Sequence, residues 1–209
     1  MRYFSNFPKN IITSGDGNFT LATNLLARVN LIPTLINNPS LFYTYSMQDG
    51  DTPEIIATKY YDNPYRYWIF LYGNNIMDPQ WDLPMSSNIF GVYLEDKYKV
   101  QANTQTVLAY TQSTVKYYMK VVETYDSETN TTTKNEYNVD QDTYNNLPSN
   151  SIITKTFPDG SYVQITQTKY TVSIYDYEIS LNEAKREVKV INKLYAGDME
   201  EKLKSLMSE

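Results

Sequence analysis

Residues 62–73 read Asp62-Asn63-Pro64-Tyr65-Arg66-Tyr67-Trp68-Ile69-Phe70-Leu71-Tyr72-Gly73, and no other stretch constrains the fold as strongly. Asn63 can cap a helix and Pro64 can open it, because the first-turn N–H that proline lacks has no intrahelical partner anyway. Gly73 supplies a stop. Within the predicted helix, Tyr65, Trp68, Ile69 and Tyr72 fall at i, i+3, i+4 and i+7 and make one apolar stripe. Tyr67, Phe70 and Leu71 cover much of the remaining circumference and leave Arg66 as the single charged side chain. A helix apolar nearly all round must be enclosed. A small unit can cover one side of it, so the other side is expected to meet the rest of the chain or another subunit.

The run just before it has the same grammar. Asp49-Gly50-Asp51 makes a tight turn, Thr52 can cap, Pro53 opens a helix, and Glu54 suits the positive end of its dipole. Ile55, Ile56, Ala57 and Tyr60 form its apolar side. Phe42-Tyr43-Thr44-Tyr45, following a turn at Asn37-Asn38-Pro39, reads as a short strand. One strand and two short helices are therefore expected over 42–72.

The flanks are less regular. Residues 1–20 are rich in turn formers, including Pro8, Gly15 and Gly17, and suggest an extended arm that needs something to lie against. Leu21, Leu25, Leu26, Val29 and Ile32 recur at helical spacing and predict a helix over 19–32, interrupted by Pro33. Ser86 or Ser87 can cap a helix over 88–99. Beyond about residue 103 the period becomes two, as in Val115, Tyr117, Met119 and Val121, and predicts β structure. Pro158-Asp159-Gly160 marks a hairpin between the runs 152–157 and 162–166. A third β-prone run over 170–177 leads into a short helical turn and a strand over 188–192. Met199, Leu203, Leu206 and Met207 then form the stripe of a C-terminal amphipathic helix, with Asp198 as its expected cap. That helix is short enough to depend on docking for its stability.

Chemistry is narrowed by what is missing. The 209 residues contain no cysteine and no histidine, which removes thiolate chemistry, serine–histidine nucleophile systems and histidine-based metal sites. The charge of −6, with no cluster of Lys and Arg, argues against nucleic-acid binding. No apolar run approaches a membrane span, and the N-terminus lacks the apolar core of a signal peptide, so the chain is expected to fold where it is made. The close carboxylate pairs, Asp49 with Asp51, Asp140 with Asp142 and Asp176 with Glu178, sit in turn or strand signals where solvated acids are ordinary. Glycoside hydrolysis would need a cleft and one raised pKa. The Asp49-Gly50-Asp51 turn lacks the further ligands of a calcium loop, and no phosphate-binding glycine motif occurs. No catalytic residue, cofactor, metal or small-molecule substrate is expected. Tyrosine is abundant, at 21 residues. Those before residue 75 are read as interface tyrosines and most of those after 110 as strand residues, since Tyr serves both settings.

The stretch from Tyr45 through Asp49-Gly50-Asp51-Thr52, then Ile55-Ile56-Ala57, and later Gly73-Asn74-Asn75, resembles a LysM module. Such modules are βααβ folds that commonly bind peptidoglycan or chitin. The second helix is far more aromatic than in a sugar-binding LysM, and its Asn63-Pro64-x-x-Tyr67-Trp68 run is similar to the LysM-like wedge subunit of contractile-tailed phage baseplates. Residues 81–99 and 182–191 fit that family as well, and the resemblance covers about half the chain. It implies a virion subunit, made in the host cytoplasm, that is repeated around a six-fold ring and touches other wedge proteins and copies of itself.

The expected fold is α+β: a small LysM-like βααβ module, a β-rich region of hairpins or a meander, and a C-terminal amphipathic helix. Four regions are expected: an arm and helix at 1–40, the module at 41–100, the β-rich region at 101–177, and a strand with a docking helix at 178–209. Candidate partner-interface residues are Tyr65, Arg66, Tyr67, Trp68, Phe70, Tyr72, Trp81, Met199, Leu203 and Leu206. The alternative, a glycan-binding protein, would instead use Asp49, Gly50, Asp51, Thr52, Asn74 and Asn75.

Overall fold

The computed structural model describes residues 3–13, 15, 17–24 and 39–208. Its fold is α+β. After a 3₁₀ turn at Tyr3–Asn6 come β1 (Lys9–Thr13), β2 (Phe19–Thr23) and β3 (Phe42–Ser46). Next are α1 (Pro53–Tyr61), a 3₁₀ turn (Pro64–Arg66), α2 (Tyr67–Gly73), α3 (Pro79–Asp82), α4 (Ser87–Ala102) and α5 (Val107–Ser113). The remainder is β4 (Val115–Asp126), β5 (Thr131–Val139), α6 (Gln141–Asn146), β6 (Asn150–Thr156), β7 (Tyr162–Ser173), α7 (Ile174–Glu183), β8 (Glu187–Ile191) and α8 (Ala196–Ser208). These elements fall into two compact units, Met1–Ile89 with Asn182–Glu209, and Phe90–Leu181.

In the first unit, local signals act as their chemistry dictates. The Thr52 hydroxyl accepts from Ile55 N and Pro53 opens α1, while Asn63 accepts from Tyr65 N and Pro64 opens the next turn. That turn is 3₁₀ before it becomes α-helical, so Tyr65 leaves the expected stripe and stands exposed, while Trp68 and Ile69 are buried. The strand that pairs with β3 comes from the far end of the chain: Phe42 lies opposite Ile191 and Ser46 opposite Glu187 in an antiparallel ladder. In β8, Val188 and Val190 are buried while Glu187 and Lys189 are exposed, the period expected of a strand covered on one face. Ile56, Ala57, Ile69, Phe70, Val190 and Leu203 share the resulting core with Phe7 from the N-terminal segment. Each of the larger aliphatic and aromatic side chains among these contributes roughly 1.5–3 kcal/mol by leaving water.

Three expectations change here. Residues 19–23 are strand rather than the start of a helix, and 25–32 lie outside the described residues. Phe19, Leu21 and Thr23 alternate with Thr20 and Ala22, and pairing with β1, in which Ile11 meets Leu21, satisfies the backbone groups turned toward it. Asp198 lies inside the first turn of α8 rather than capping it, where its charge still suits the helix dipole. Helix α7 begins at Ile174, inside the β-prone run over 170–177. There the Ser173 hydroxyl accepts from Asp176 N at 3.0 Å and donates to the Asp176 carboxylate at 2.8 Å, a reciprocal cap that ends one element and starts the next.

The second unit holds a four-stranded antiparallel sheet in the order β5-β4-β7-β6. The β6–β7 hairpin turns at Gly160, whose positive φ of 87° suits a residue without Cβ. Buried Phe90, Leu94, Val107 and Ile174 belong to α4, α5 and α7, whereas Val121 is the one buried strand residue among the described residues of the sheet. The short helices α5 and α6 interrupt what the sequence suggested was continuous β structure. Thr106 caps the first by accepting from Ala109 N, and Asp140 caps the second by accepting from Thr143 N.

Candidate interaction surfaces

The aromatic helix α2 is enclosed by the segment around Tyr3 and Phe7 and by α8. Tyr3 packs 5.7 Å from Trp68 and edge-on to Phe7 at 4.8 Å, and its hydroxyl hydrogen-bonds to that of Tyr72. Burial and this bond both push the Tyr3 hydroxyl pKa well up, so it stays neutral. On α8, Leu203 and Met207 are buried in the same core and Met199 packs against it. Arg66, on the turn before α2, holds Glu200 of α8 with two parallel bonds, Nε to Oε1 at 2.9 Å and Nη2 to Oε2 at 3.0 Å. The indole N–H of Trp68 is buried without an acceptor among the described residues, a cost of about 1–3 kcal/mol that the surrounding rings must offset.

The ten expected interface residues therefore divide. Trp68, Phe70 and Leu203 are core, and Tyr67, Tyr72 and Met199 are partly buried against it. Arg66 is engaged by Glu200. Tyr65, Trp81 and Leu206 are exposed. The two loops expected to flank a sugar are tied into the first unit. Asp49 accepts from Arg186 at 2.7 Å, and Asp51 accepts from the Tyr45 hydroxyl at 2.6 Å. Thr52 caps α1, and Gly50 and Asn75 take positive φ in their turns. Asn74 bridges two elements: its amide nitrogen donates to Phe70 O at 2.9 Å and Lys189 O at 2.7 Å, and its oxygen accepts from Lys189 N at 2.7 Å.

Two surfaces were missed by sequence reasoning. The β1–β2 hairpin places Ile11, Leu21 and Phe19 on one face, and they are 69%, 67% and 74% exposed. Strand alternation on both sides of Gly15 and Gly17 was the available signal; the longer helical pattern masked it. The outer strand β6 carries exposed Ile152 and Ile153.

Carboxylates are placed for holding structure. Glu178 is buried in the second unit and accepts from Lys97 Nζ at 2.8 Å, Tyr98 OH at 2.6 Å and Tyr93 OH at 3.0 Å. Burial pushes its carboxyl up, but these donors outweigh burial and hold it below the ordinary range. That is the opposite of what a general acid needs. Asp140, held low by the Thr143 hydroxyl and N–H, is a helix cap. Among the described residues, no group of three or more acidic side chains is gathered where a metal could bind, and no helix is long and apolar enough to cross a membrane.

The family model described as Base plate wedge protein 53 matches residues 32–208. The chain belongs to this baseplate wedge family. It is accordingly a structural protein of the phage virion, located in the tail baseplate, where it interacts with other baseplate proteins. The match runs from before β3 to the end of α8, so it includes the second unit, most of the first and the β3–β8 pairing that closes the first. The β1–β2 hairpin precedes the matched stretch. No curated protein matches the chain.

Proposed function

We propose that this wedge protein joins neighbouring wedge proteins during assembly of a contractile tail, as a non-enzymatic part repeated around a six-fold ring. The observation that carries this reading is the apolar face of the β1–β2 hairpin, Ile11, Phe19 and Leu21, exposed among the described residues. An isolated two-stranded hairpin is marginal in water and gains stability when such a face is covered. The aromatic helix and the C-terminal helix satisfy each other within the chain, which leaves the exposed apolar face of the hairpin, with exposed Leu206, to meet partners. The low carboxyl pKa of Glu178 and the structural placement of Asp49, Asp51 and Asp140 favour a role without catalysis.

Phe19→Asp with Leu21→Asp tests the reading. Both sites are exposed, so the thermal transition should move little, within about 0.5 kcal/mol. Co-expression with candidate wedge subunits followed by size-exclusion chromatography should then show loss of the joint complex. A complex formed as readily as by the unaltered chain overturns the reading. Trp68→Ala would be a poor substitute, since removing that ring from the core costs about 3–5 kcal/mol and unfolding would mimic a lost interface. A glycan-binding role has less support, because a sugar would compete with the bonds of Asp49, Asp51 and Asn74. Retention on peptidoglycan that depends on those residues would favour it.

A further inference from the structure

The sheet of the second unit is open along β6. The order β5-β4-β7-β6 leaves the outer edges of β5 and β6 unpaired among the described residues, with backbone N–H and C=O groups turned outward. The two edges differ. On β5, Lys134 and Glu136 form an ion pair at 2.8 Å, and such charges discourage a further strand. β6, Asn-Ser-Ile-Ile-Thr-Lys-Thr, has no proline and no acid, and Lys155 is its one charge. Ile152 lies opposite Thr166 of β7 and Ile153 opposite Ile165, so the two isoleucines stand on opposite faces of the sheet. They are 58% and 62% exposed. A partner resting on one face could cover only one of them. An added strand covers both and also satisfies the open backbone groups. A β-prone run with so little charge is an aggregation hazard if left bare.

The geometry points to β6 as the edge onto which a different baseplate protein adds an extended segment as a fifth strand. A second copy of this chain fits poorly. Two β6 strands related by a two-fold axis with their faces in common place Ile153 against Ile153 and Ile152 against Thr154, or Ile152 against Ile152 and Ile153 against Ser151. Either register leaves one isoleucine beside a polar residue. Pairing β6 with β5 of another copy is no better. Ile152 shares its face with Thr166, Glu123 and Lys134, so it would meet Thr132, Lys134, Glu136 or Asn138. The added strand is therefore assigned to another protein, with two adjacent aliphatic or aromatic residues for Ile152 and Ile153. An acidic residue two positions from the partner of Ile153 would face Lys155, which shares the Ile153 face.

This inference rests on the joining role proposed above and assigns a partner to one edge. The test uses the full chain, free and in purified baseplates. Backbone hydrogen exchange over 150–156 should slow on assembly, while 131–139 on β5 should change far less. Ile152→Lys with Ile153→Lys should melt like the unaltered chain. In competition it should enter baseplates less well, by about tenfold, equivalent to about 1.4 kcal/mol. Baseplates in which residues 150–156 exchange as fast as in the free chain overturn the edge proposal and leave the joining role standing. Equal incorporation of the double variant does the same. Concentration-dependent self-association of the pure chain that the two lysines abolish would place a second copy there instead and also overturn it. A chain that never enters baseplates sinks both readings.

Discussion

Asn74 and Arg66 show how single side chains fix this fold. Asn74 joins the end of α2 to β8 with three bonds to backbone, which makes it a hinge pin between helix and strand. The sequence marked it only as part of a Gly73-Asn74-Asn75 loop, because its partners on Lys189 are distant in the chain. Arg66 was singled out as the lone charge on an apolar helix, but nothing nearby in sequence pointed to Glu200. Burial raises the Glu200 carboxyl pKa, and the Arg66 guanidinium more than compensates, so the net shift is downward. A group lowered on folding stabilises the native state above its unfolded pKa, and that contribution fades as pH falls through the folded value. The melting temperature should thus decline below about pH 4.5, and Glu200→Gln should flatten part of that decline. Glu178, also held low by its donors, should account for another part. An unchanged slope in Glu200→Gln would assign the pH dependence elsewhere.

Among elements, the capped helices were the most legible. Thr52-Pro53 and Asn63-Pro64 carry their start signals in two adjacent residues, and no distant partner is needed to read them. Strand β2 was obscured because a few leucines at helical spacing outweighed its short alternation, and only pairing with β1 decides between the two. The caps of α5 and α6, Thr106 and Asp140, were not read from the sequence, because they sit in a region whose Thr, Tyr and Val favour strands. On α8 the stripe was right in period, yet its members differ: Leu203 is buried and Leu206 is 42% exposed. Leu203→Ala should cost about 2–5 kcal/mol in denaturant unfolding, while Leu206→Ala should stay within about 0.5 kcal/mol. Equal effects would mean that α8 does not dock as described.

For the whole chain, periodicity pointed to the fold class and the resemblance of the Asn63-Pro64 stretch to the family, but the division into units was not legible. It depends on β3 finding β8, a pairing that local patterns cannot encode. The chain leaves the first unit at Ile89 and returns at Asn182. Close by, Met85 N donates to Asn182 Oδ1 at 2.8 Å and Asn182 Nδ2 donates to Met85 O at 3.1 Å. Departure and return are thus held near each other within one unit. Replacing residues 90–181 with a short Gly/Ser linker should leave the first unit folded, with a cooperative melting transition followed by circular dichroism. A shortened chain with no such transition would show that the first unit depends on the second.

The closure of β3 by β8 has a consequence for synthesis. Domains generally fold as they emerge from the ribosome, N-terminal first, but here β3 must wait for β8, which follows the whole second unit. The contiguous second unit can fold while the first is still incomplete. A product truncated before residue 187 would expose β3 and α2 uncovered, a form that proteases and chaperones can recognise. Translation through β8 thereby becomes a condition for a closed first unit.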